Sequence, residues 1–316
     1  MKQSLLIIYT LISLACFSQN YSGPESIEYV PFNQSYFISN SNNGQILELN
    51  NNNLSVFASN LPNGPHGLEL VEEYIGSKWT GQVLYACSGG TLYGYDINGS
   101  QVLNYDLNGS FLNGITKKIG EDVDLFITDF SAKKLYRYNI LENTHYEVCS
   151  FNKNPNGVYY DHLNNRLLVV CWGWNAPIYE VDIVNGTYNT IINTGLSNLD
   201  GITMDECGNI YVSAWSSNSI HKYDWDFSET EVIISGLSAP ADICHDPINN
   251  LICIPNSGNN SLAFANASCN NSMLLESLKK RTLIKKIDIL GKDVEKTYFK
   301  LEIYDDGSIE KKYILN

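Results

Sequence analysis

The sequence is short of basic residues and of long apolar runs. It has 20 Lys and Arg residues against 34 Asp and Glu residues, which gives a formal net charge of −14 over 316 residues. A nucleic-acid partner requires a basic surface, so we expect none. Beyond the N-terminus, no stretch reaches the roughly 18 consecutive apolar residues of a membrane-spanning helix. The sequence therefore predicts no transmembrane anchor.

Several catalytic motifs are also missing from the sequence. It contains no Gly-x-Ser-x-Gly motif, no phosphate-binding P-loop and no His-Glu-x-x-His motif. These motifs position a nucleophilic serine, a nucleotide phosphate and a catalytic zinc ion, respectively. No Cys or His pair has the spacing of a structural zinc site. Serine-nucleophile chemistry and nucleotide use are therefore not expected.

The first 18 residues have the pattern of a secretory signal peptide. Lys2 gives a charged start, the stretch 5–16 is mainly apolar, and small or polar residues follow. We expect cleavage near Ser18. A lipoprotein signal through Cys16 is the alternative, disfavoured because Ser13 occupies the position where Leu is usual. Seven of the eight cysteines follow this segment. Cys207 and Cys244 precede turns and could pair, and the other thiols in apolar strand patterns should be buried.

A four-residue motif recurs along most of the remaining chain. It reads Leu-Asp-Gly-Ile at 199–202, and its second position recurs at separations of 41, 47, 43, 44 and 41 residues. A fixed period of about 40–50 residues with many strand signals is typical of a propeller or solenoid. Each repeat contains a continuous apolar segment and an alternating one, which predict a buried and a more exposed strand. The sequence thus predicts an all-β fold, a six-bladed β-propeller over residues 19–269, whose sixth repeat lacks a clear fourth strand.

The second position of the motif predicts a ring of polar side chains. In a propeller this position begins the innermost strand of each blade, so the six side chains should face one central channel. They are Glu25, His66, Asn113, Asn156, Asp200 and Ala241. Carboxylate and amide oxygens are hard donors that suit Ca²⁺. The alternative interpretation is structural, because Asn-Gly and Asp-Gly pairs are common in turns.

The motifs resemble those of the calcium-dependent phosphotriesterase superfamily, which includes gluconolactonases, paraoxonases and strictosidine-synthase-like proteins. The resemblance covers residues 22–266 and implies that Glu25, Asn113, Asn156 and Asp200 bind the metal. Pro65-His66-Gly67-Leu68 is similar to the paraoxonase motif with a catalytic histidine, although the second histidine of that family is missing near Ser88. The resemblance implies His66 and Asp200 as catalytic residues, with a pore-lining role as the alternative for His66.

Four further residues are predicted near the channel mouth because they follow second strands. These pocket candidates are Asp129, Trp172, Trp174 and Trp215. Packing between blades is the alternative for the tryptophans. Together with the ring, they predict a calcium-dependent hydrolase acting on a lactone, an ester or a carbohydrate-like ligand. Two alternatives remain open: a non-catalytic NHL-like propeller that binds a glycan, peptide or protein, and a strictosidine-synthase-like protein with another reaction.

The C-terminal residues 270–316 form a separate segment in which Lys is frequent. Two alternating stretches around Asp306-Gly307 predict a β-hairpin. The stretch Asp288-Ile-Leu-Gly-Lys-Asp and the ending resemble the C-terminal sorting segment of type IX secretion substrates. The resemblance implies recognition by that machinery and export through the periplasm, with the protein secreted or held on the cell surface. The alternative is a small accessory β segment.

Overall fold

The computed structural model describes residues 20–75, 78–119, 123–267, 283–287, 299–304 and 309–313. The predicted signal peptide, 1–18, lies outside the described residues. The chain divides into two compact units, Met1–Ala267 and Ser268–Asn316. No helix among the described residues is both long and apolar enough to cross a membrane.

The first unit is a six-bladed β-propeller, as the repeat predicts. Five blades are antiparallel four-stranded sheets, and the described residues of the sixth form three strands. In chain order the strands are β1 (Pro24–Val30), β2 (Ser35–Asn40), β3 (Gln45–Asn50), β4 (Asn53–Ala58), β5 (Leu68–Ile75), β6 (Lys78–Ser88), β7 (Thr91–Asp96), β8 (Gln101–Asp106), β9 (Leu112–Ile119), β10 (Val123–Asp129), β11 (Lys134–Asn139), β12 (Thr144–Ser150), β13 (Asn154–Asp161), β14 (Arg166–Trp172), β15 (Pro177–Asp182), β16 (Thr187–Asn193), β17 (Leu199–Met204), β18 (Ile210–Ala214), β19 (Ser219–Tyr223), β20 (Thr230–Ser235), β21 (Cys244–Asp246), β22 (Leu251–Asn256) and β23 (Ser261–Asn266).

Hydrophobic cores lie between successive blades. The second strand of each blade is buried on both faces, which explains its continuous apolar sequence; in β14, residues 167–171 are fully buried. One core cluster joins side chains of blades four and five, for example Val170 and Val212. The outermost strands alternate between exposed and partly buried residues, as β16 does. Burial of apolar surface between sheets therefore holds the blades together.

In blades two to five, the innermost strand packs tightly against the next one at the recurring glycine. The Gly114 position leaves no room for a side chain, since an added Cβ would lie 2.4 Å from the carbonyl oxygen of Asn156. The same holds at Gly157, whose Cβ would lie 2.4 Å from the carbonyl oxygen of Asp200. Neither glycine has the positive φ of a left-handed turn. The motif therefore requires glycine because neighbouring backbones approach closely around a narrow channel.

The described strands of the sixth blade close the ring against the first blade. The two blades meet at a seam, where Ser26 forms a parallel bridge with Asp242 and the Asp242 amide donates to the Glu25 carbonyl at 2.8 Å. The hydroxyl of Tyr36 donates to Asp246 across the same seam. A cluster that includes Ile27 and Ile38 of blade one also packs there with side chains of blade six. Hydrogen bonds and apolar packing thus replace strand exchange at the seam.

The cysteines differ from one sequence-based expectation. Cys207 is disulfide-bonded, but Cys244 carries a free thiol, so the predicted pairing of these two residues is wrong. Cys244 lies instead opposite Cys253 on β21 and β22, where both thiols are buried in the seam cluster. Cys87 and Cys171 are buried free thiols, as expected from their apolar strands.

The second unit contains a three-stranded antiparallel sheet. Its strands are β24 (Leu283–Ile287), β25 (Phe299–Tyr304) and β26 (Ile309–Tyr313). β25 and β26 pair antiparallel, which confirms the predicted hairpin, although its turn lies outside the described residues. A short C-terminal β segment is therefore present, and its use as a sorting signal stays a prediction.

Candidate functional site

A β-bulge shapes the recurring motif at the start of the innermost strands. In blade four, Pro155 pairs with Cys171 and Val158 pairs with Val169, so the motif has one extra residue relative to its partner strand. The same shift occurs in blades one, three and five. A bulge re-aims the side chains that it contains. The motif therefore presents Glu25, Asn113, Asn156 and Asp200 differently from a regular strand.

The ring brings two predicted carboxylates into one electrostatic cluster and adds a third. The charge of Glu25 of blade one raises the pKa of Asp200 of blade five, and the charge of Asp242 of blade six, which lies between them along the ring, raises the pKa of both. Asp242 occupies the position where blades two to five have glycine. The three carboxylates lie near enough to repel one another, which is costly unless a cation or protons neutralise them.

Burial and mutual repulsion raise the pKa values of these carboxyl groups. Desolvation, with the charge of Asp242 as a second cause, raises the pKa of Glu25 to about 7. Desolvation also raises the pKa of Asp242 to about 7, although a hydrogen bond from Ser26 opposes the shift. Desolvation also raises the pKa of Asp200 well above its ordinary value. Glu25 and Asp242 keep some accessible surface, but protein surrounds them, so desolvation dominates.

Two buried oxygen atoms in the ring have no hydrogen-bond partner. They are Oδ1 of Asn156 and Oδ1 of Asp200, on side chains that are only 2% and 4% exposed. The amide nitrogen of Asn156 donates to the Leu199 carbonyl at 3.3 Å, which fixes the orientation of the side chain. An unpaired buried acceptor costs about 1–3 kcal/mol. A bound cation would satisfy both oxygens, so the residues fit a metal ion with hard oxygen ligands.

Asn113 lies in the same ring, on blade three. Its side chain is buried, and its backbone carbonyl oxygen accepts a hydrogen bond from the Gly67 backbone amide at 2.9 Å. Within the described ranges, no three His, Cys, Asp or Glu side chains converge closely enough to hold a metal by themselves. A metal site here would therefore depend on the amide oxygens of Asn113 and Asn156 together with the carboxylates.

His66 takes the ring position of blade two. Its imidazole packs edge-on against Phe111, with ring centroids 4.6 Å apart, and its Nδ1 is buried without a hydrogen-bond partner. Desolvation lowers the pKa of His66 to about 4, and the Gly64 carbonyl only partly opposes this shift. The imidazole is therefore neutral near neutral pH and has an unused nitrogen.

The four predicted pocket residues have different surroundings. The carboxylate of Asp129 is fully buried and accepts hydrogen bonds from the amides of Ser110 and Phe111, at 2.6 and 3.1 Å, and from the Ala132 amide. Trp172 and Trp215 contact each other with ring centroids 5.5 Å apart. Trp174 is 81% exposed.

Sequence reasoning missed Asp242 and a second layer of charge in the channel wall. Asp242 breaks the glycine pattern of the motif, and that departure was the available signal. Glu28 and Glu69 lie on the innermost strands of blades one and two, each three residues after the ring position of its blade. Lys117 pairs with Glu69 at 2.7 Å, while the Glu28 side chain accepts from the Leu70 amide at 3.2 Å. Desolvation and the charge of Glu69 raise the pKa of Glu28 to about 8.

A cavity of about 690 Å³ lies away from the ring. Phe32, Ile97 and Asn143 line it, and these residues belong to turns that follow β1, β7 and β11. Those turns are at the opposite end of the blades from the recurring motif. The cavity is therefore separate from the ring.

Comparison with solved structures shows the fold. The chain matches virginiamycin B lyase of Staphylococcus aureus with a TM-score of 0.55 and 15% identity over 94% of this chain and 98% of the other. It matches a luciferin-regenerating enzyme with a TM-score of 0.60 and 11% identity over 79% of this chain and 92% of the other. A Bacteroides thetaiotaomicron protein of unknown function gives a TM-score of 0.62 and 14% identity, over 79% of this chain and 70% of the other. No protein-family model and no curated protein matches the sequence.

These neighbours include enzymes, but identities of this size establish only a shared six-bladed β-propeller. Propellers support many unrelated functions. The chain is therefore a six-bladed β-propeller whose fold is shared with enzymes, and its own function has to be argued from the ring.

Proposed function

We propose that this protein is an exported calcium-binding β-propeller that hydrolyses a lactone or an ester. The observation that carries the proposal is the pair of unsatisfied oxygens on Asn156 and Asp200, within a cluster of buried carboxylates. Proteins rarely bury acceptors without partners, so an unexplained pair at one site favours a missing cation.

Four side chains would hold the ion. Glu25 and Asp200 supply carboxylates that offset most of the charge of Ca²⁺, and Asn113 and Asn156 supply neutral amide oxygens. Asp242 adds negative charge beside them. The hydrogen bond from the Asn156 amide nitrogen to the Leu199 carbonyl would hold the amide oxygen of Asn156 in place before the ion binds. When bound, the ion would polarise a substrate carbonyl and lower the pKa of a water molecule.

His66 would take part in the proton transfer. Its imidazole is neutral near neutral pH and has an unpaired Nδ1, so it can accept a proton. Because its pKa is low, His66 is a weak base and can act only on a water that is already acidified. The contact with Phe111 restricts the orientation of the imidazole ring. Asp200 would serve both as ligand and as the carboxylate that orients the attacking water.

Export is part of the proposal, and it rests on the two ends of the chain. Residues 1–18 would direct the protein to the periplasm, and residues 270–316 would direct it across the outer membrane by type IX secretion. Fusion of residues 270–316 to a periplasmic reporter, expressed in a host with this machinery, tests the second step. Reporter that stays in the periplasm would contradict the sorting role.

Calcium content and calcium-dependent melting of the full chain test the metal site. Asp200→Asn keeps the shape of the side chain but removes its charge, and Asp182→Asn, at the exposed end of β15, is the matched control. We expect one tight calcium ion and a higher Tm with calcium for the wild type and for Asp182→Asn, and loss of both for Asp200→Asn. Esters and lactones should then be screened with and without a chelator.

Two results would contradict parts of the proposal. If the wild type contains no calcium and melts identically with a chelator, the ring is not a calcium site. If it binds calcium but hydrolyses no ester or lactone, the non-catalytic NHL-like binding propeller becomes the better interpretation.

A further inference from the structure

Four aromatic side chains form a continuous arc beside the ring. Successive ring centroids are 5.6 Å apart from Phe111 to Phe130, 6.0 Å from Phe130 to Trp172 and 5.5 Å from Trp172 to Trp215. The arc therefore extends across blades three, four and five. His66 contacts its first member, Phe111, at 4.6 Å, which places the arc directly next to the proposed site.

The arc occupies one structural position that is repeated around the channel mouth. In blades three, four and five, the last residue of the motif pairs with a second-strand residue, which is Ile127, Val169 or Val212. Three residues after this partner, the chain has an aromatic residue in each blade: Phe130, Trp172 and Trp215. Because second strands run antiparallel to the first, this position is at the end of the blade where the motif begins. The same position in the other three blades is occupied by Ser41, Gly89 and Ser257.

The channel mouth is therefore asymmetric. On one side it has a wall of aromatic rings, and on the other it has small residues. The hydroxyls of Ser41 and Ser257 donate to the carbonyls of Gly23 and Ala239, so they are engaged within the propeller. A ligand at the ring would contact aromatic surface on the side of blades three, four and five.

Polar groups next to the arc are used to hold it in place. Asp129 accepts from the amides of Ser110, Phe111 and Ala132. The amide nitrogen of Asn154 donates to the Phe130 carbonyl at 2.9 Å. Asn198 accepts from the Gly173 amide at 3.0 Å and donates to Ser216 at 2.9 Å. These groups are not free to bind the hydroxyls of a sugar, so the wall offers mainly the faces and edges of its rings.

We propose that this arc makes the site selective for esters or lactones that carry a planar aromatic ring. The inference rests on the proposed hydrolase function, with the arc as the substrate-binding wall. Aromatic rings in edge-to-face or offset contact gain more than the burial of their area alone provides. Saturated rings of the same size lack that gain, and sugars would leave hydroxyls unpaired against the wall.

Two esters with similar carbonyl reactivity test the selectivity of the full, calcium-loaded chain. Methyl hydrocinnamate carries a phenyl ring, and methyl cyclohexylpropionate carries a saturated ring of similar size. We expect kcat/KM to be about ten-fold higher for the phenyl ester, mostly through KM. Trp172→Leu should remove the preference, and Trp172→Phe should keep most of it. Trp225→Leu is the matched control, because Trp225 is 58% exposed in the turn after β19, at the opposite end of the blades from the motif, and its loss should leave the preference unchanged.

A binding measurement separates this inference from the proposed function. Hydrocinnamamide, the amide analogue, should quench tryptophan fluorescence more strongly than cyclohexylpropionamide, and Trp215→Leu should weaken that binding while the Tm stays near the wild-type value. If the aryl amide binds selectively but no ester is hydrolysed, the proposed function fails and the aromatic selectivity stands. If esters are hydrolysed without aryl preference, or gluconolactone competes as well as the aryl amide, the selectivity inference is overturned.

Discussion

The hydroxyl of Ser26 donates to Oδ2 of Asp242 at 2.9 Å across the seam between the first and last blades. Both residues stand where the other four blades have glycine. The seam therefore uses side-chain hydrogen bonding at the position where the other blade contacts need empty space. Asp242 thus has two roles: it helps to close the ring through Ser26, and it adds negative charge beside Glu25 and Asp200 of the candidate metal site.

Substitutions at this pair should separate the two roles. Asp242→Asn keeps an acceptor for Ser26 but removes a charge beside Glu25 and Asp200, so we expect calcium affinity to fall about ten-fold with little change in Tm. Ser26→Ala should lower the Tm by a few degrees, because a hydrogen bond to a buried charge contributes about 1.5–3 kcal/mol. Calorimetric titration and thermal melting measure both effects. Loss of calcium binding in Ser26→Ala with an unchanged Tm would contradict this assignment.

The stability of the calcium-free protein should depend on pH in an unusual direction. The native pKa values of Glu25 and Asp242 are raised to about 7 from 4.5 and 3.8, so the native state binds more protons than the unfolded state between these values. The free energy of unfolding should therefore decrease as pH rises through this window, and the Tm should be higher near pH 5 than near pH 8.

Calcium should oppose this trend, because it binds the deprotonated carboxylates. Melting curves recorded across this pH range, with chelator and with saturating calcium, check both statements. An apo Tm that rises steadily from pH 5 to pH 8 would show that the three carboxylates do not share a desolvated cluster. Glu206→Gln, in an exposed turn, provides a control substitution of a carboxylate outside the ring.

His66→Gln should separate proton transfer from metal binding. His66 is not among the four proposed ligands, so the variant should bind calcium with nearly wild-type affinity. Its kcat for ester hydrolysis should fall by about 10²–10⁴-fold, which is the usual contribution of a general base. Stopped assays under saturating substrate give kcat, and calorimetric titration gives the calcium affinity. An unchanged kcat would assign His66 a packing role against Phe111.

Gly157→Ala should disrupt the contact between blades four and five. The new Cβ would lie 2.4 Å from the Asp200 carbonyl oxygen, so the two strands must separate, and we expect a loss of about 3 kcal/mol or more in the free energy of unfolding. Gly195→Ala is the control: nothing lies within 4 Å of its Cβ, although its φ of +73° is unfavourable for alanine. The control should cost only about 1–2 kcal/mol. Denaturant unfolding measures both, and equal losses would refute the close-approach explanation.

The repeat made the fold predictable. A motif that returns at a nearly constant separation, followed by a buried apolar strand and an alternating strand, leaves few architectures other than a propeller. The sixth repeat also lacks a clear fourth strand in the sequence, and the described residues of that blade form three strands. The pairing of Cys207 with Cys244 was predicted wrongly, since sequence position cannot show which strands face each other.

Sequence alone determined the six blades, their order, and the polar residue types that follow one another around the ring, because local periodicity fixes strands and a repeat fixes their count. The tertiary structure decided which residues contact one another in space. Only close packing of six backbones shows why glycine is required, and only ring closure brings Asp242 beside Glu25 and Asp200. The aromatic arc likewise depends on blades that are neighbours in space. Contacts between residues distant in the chain depend on how the blades close into a ring, and no local pattern encodes them.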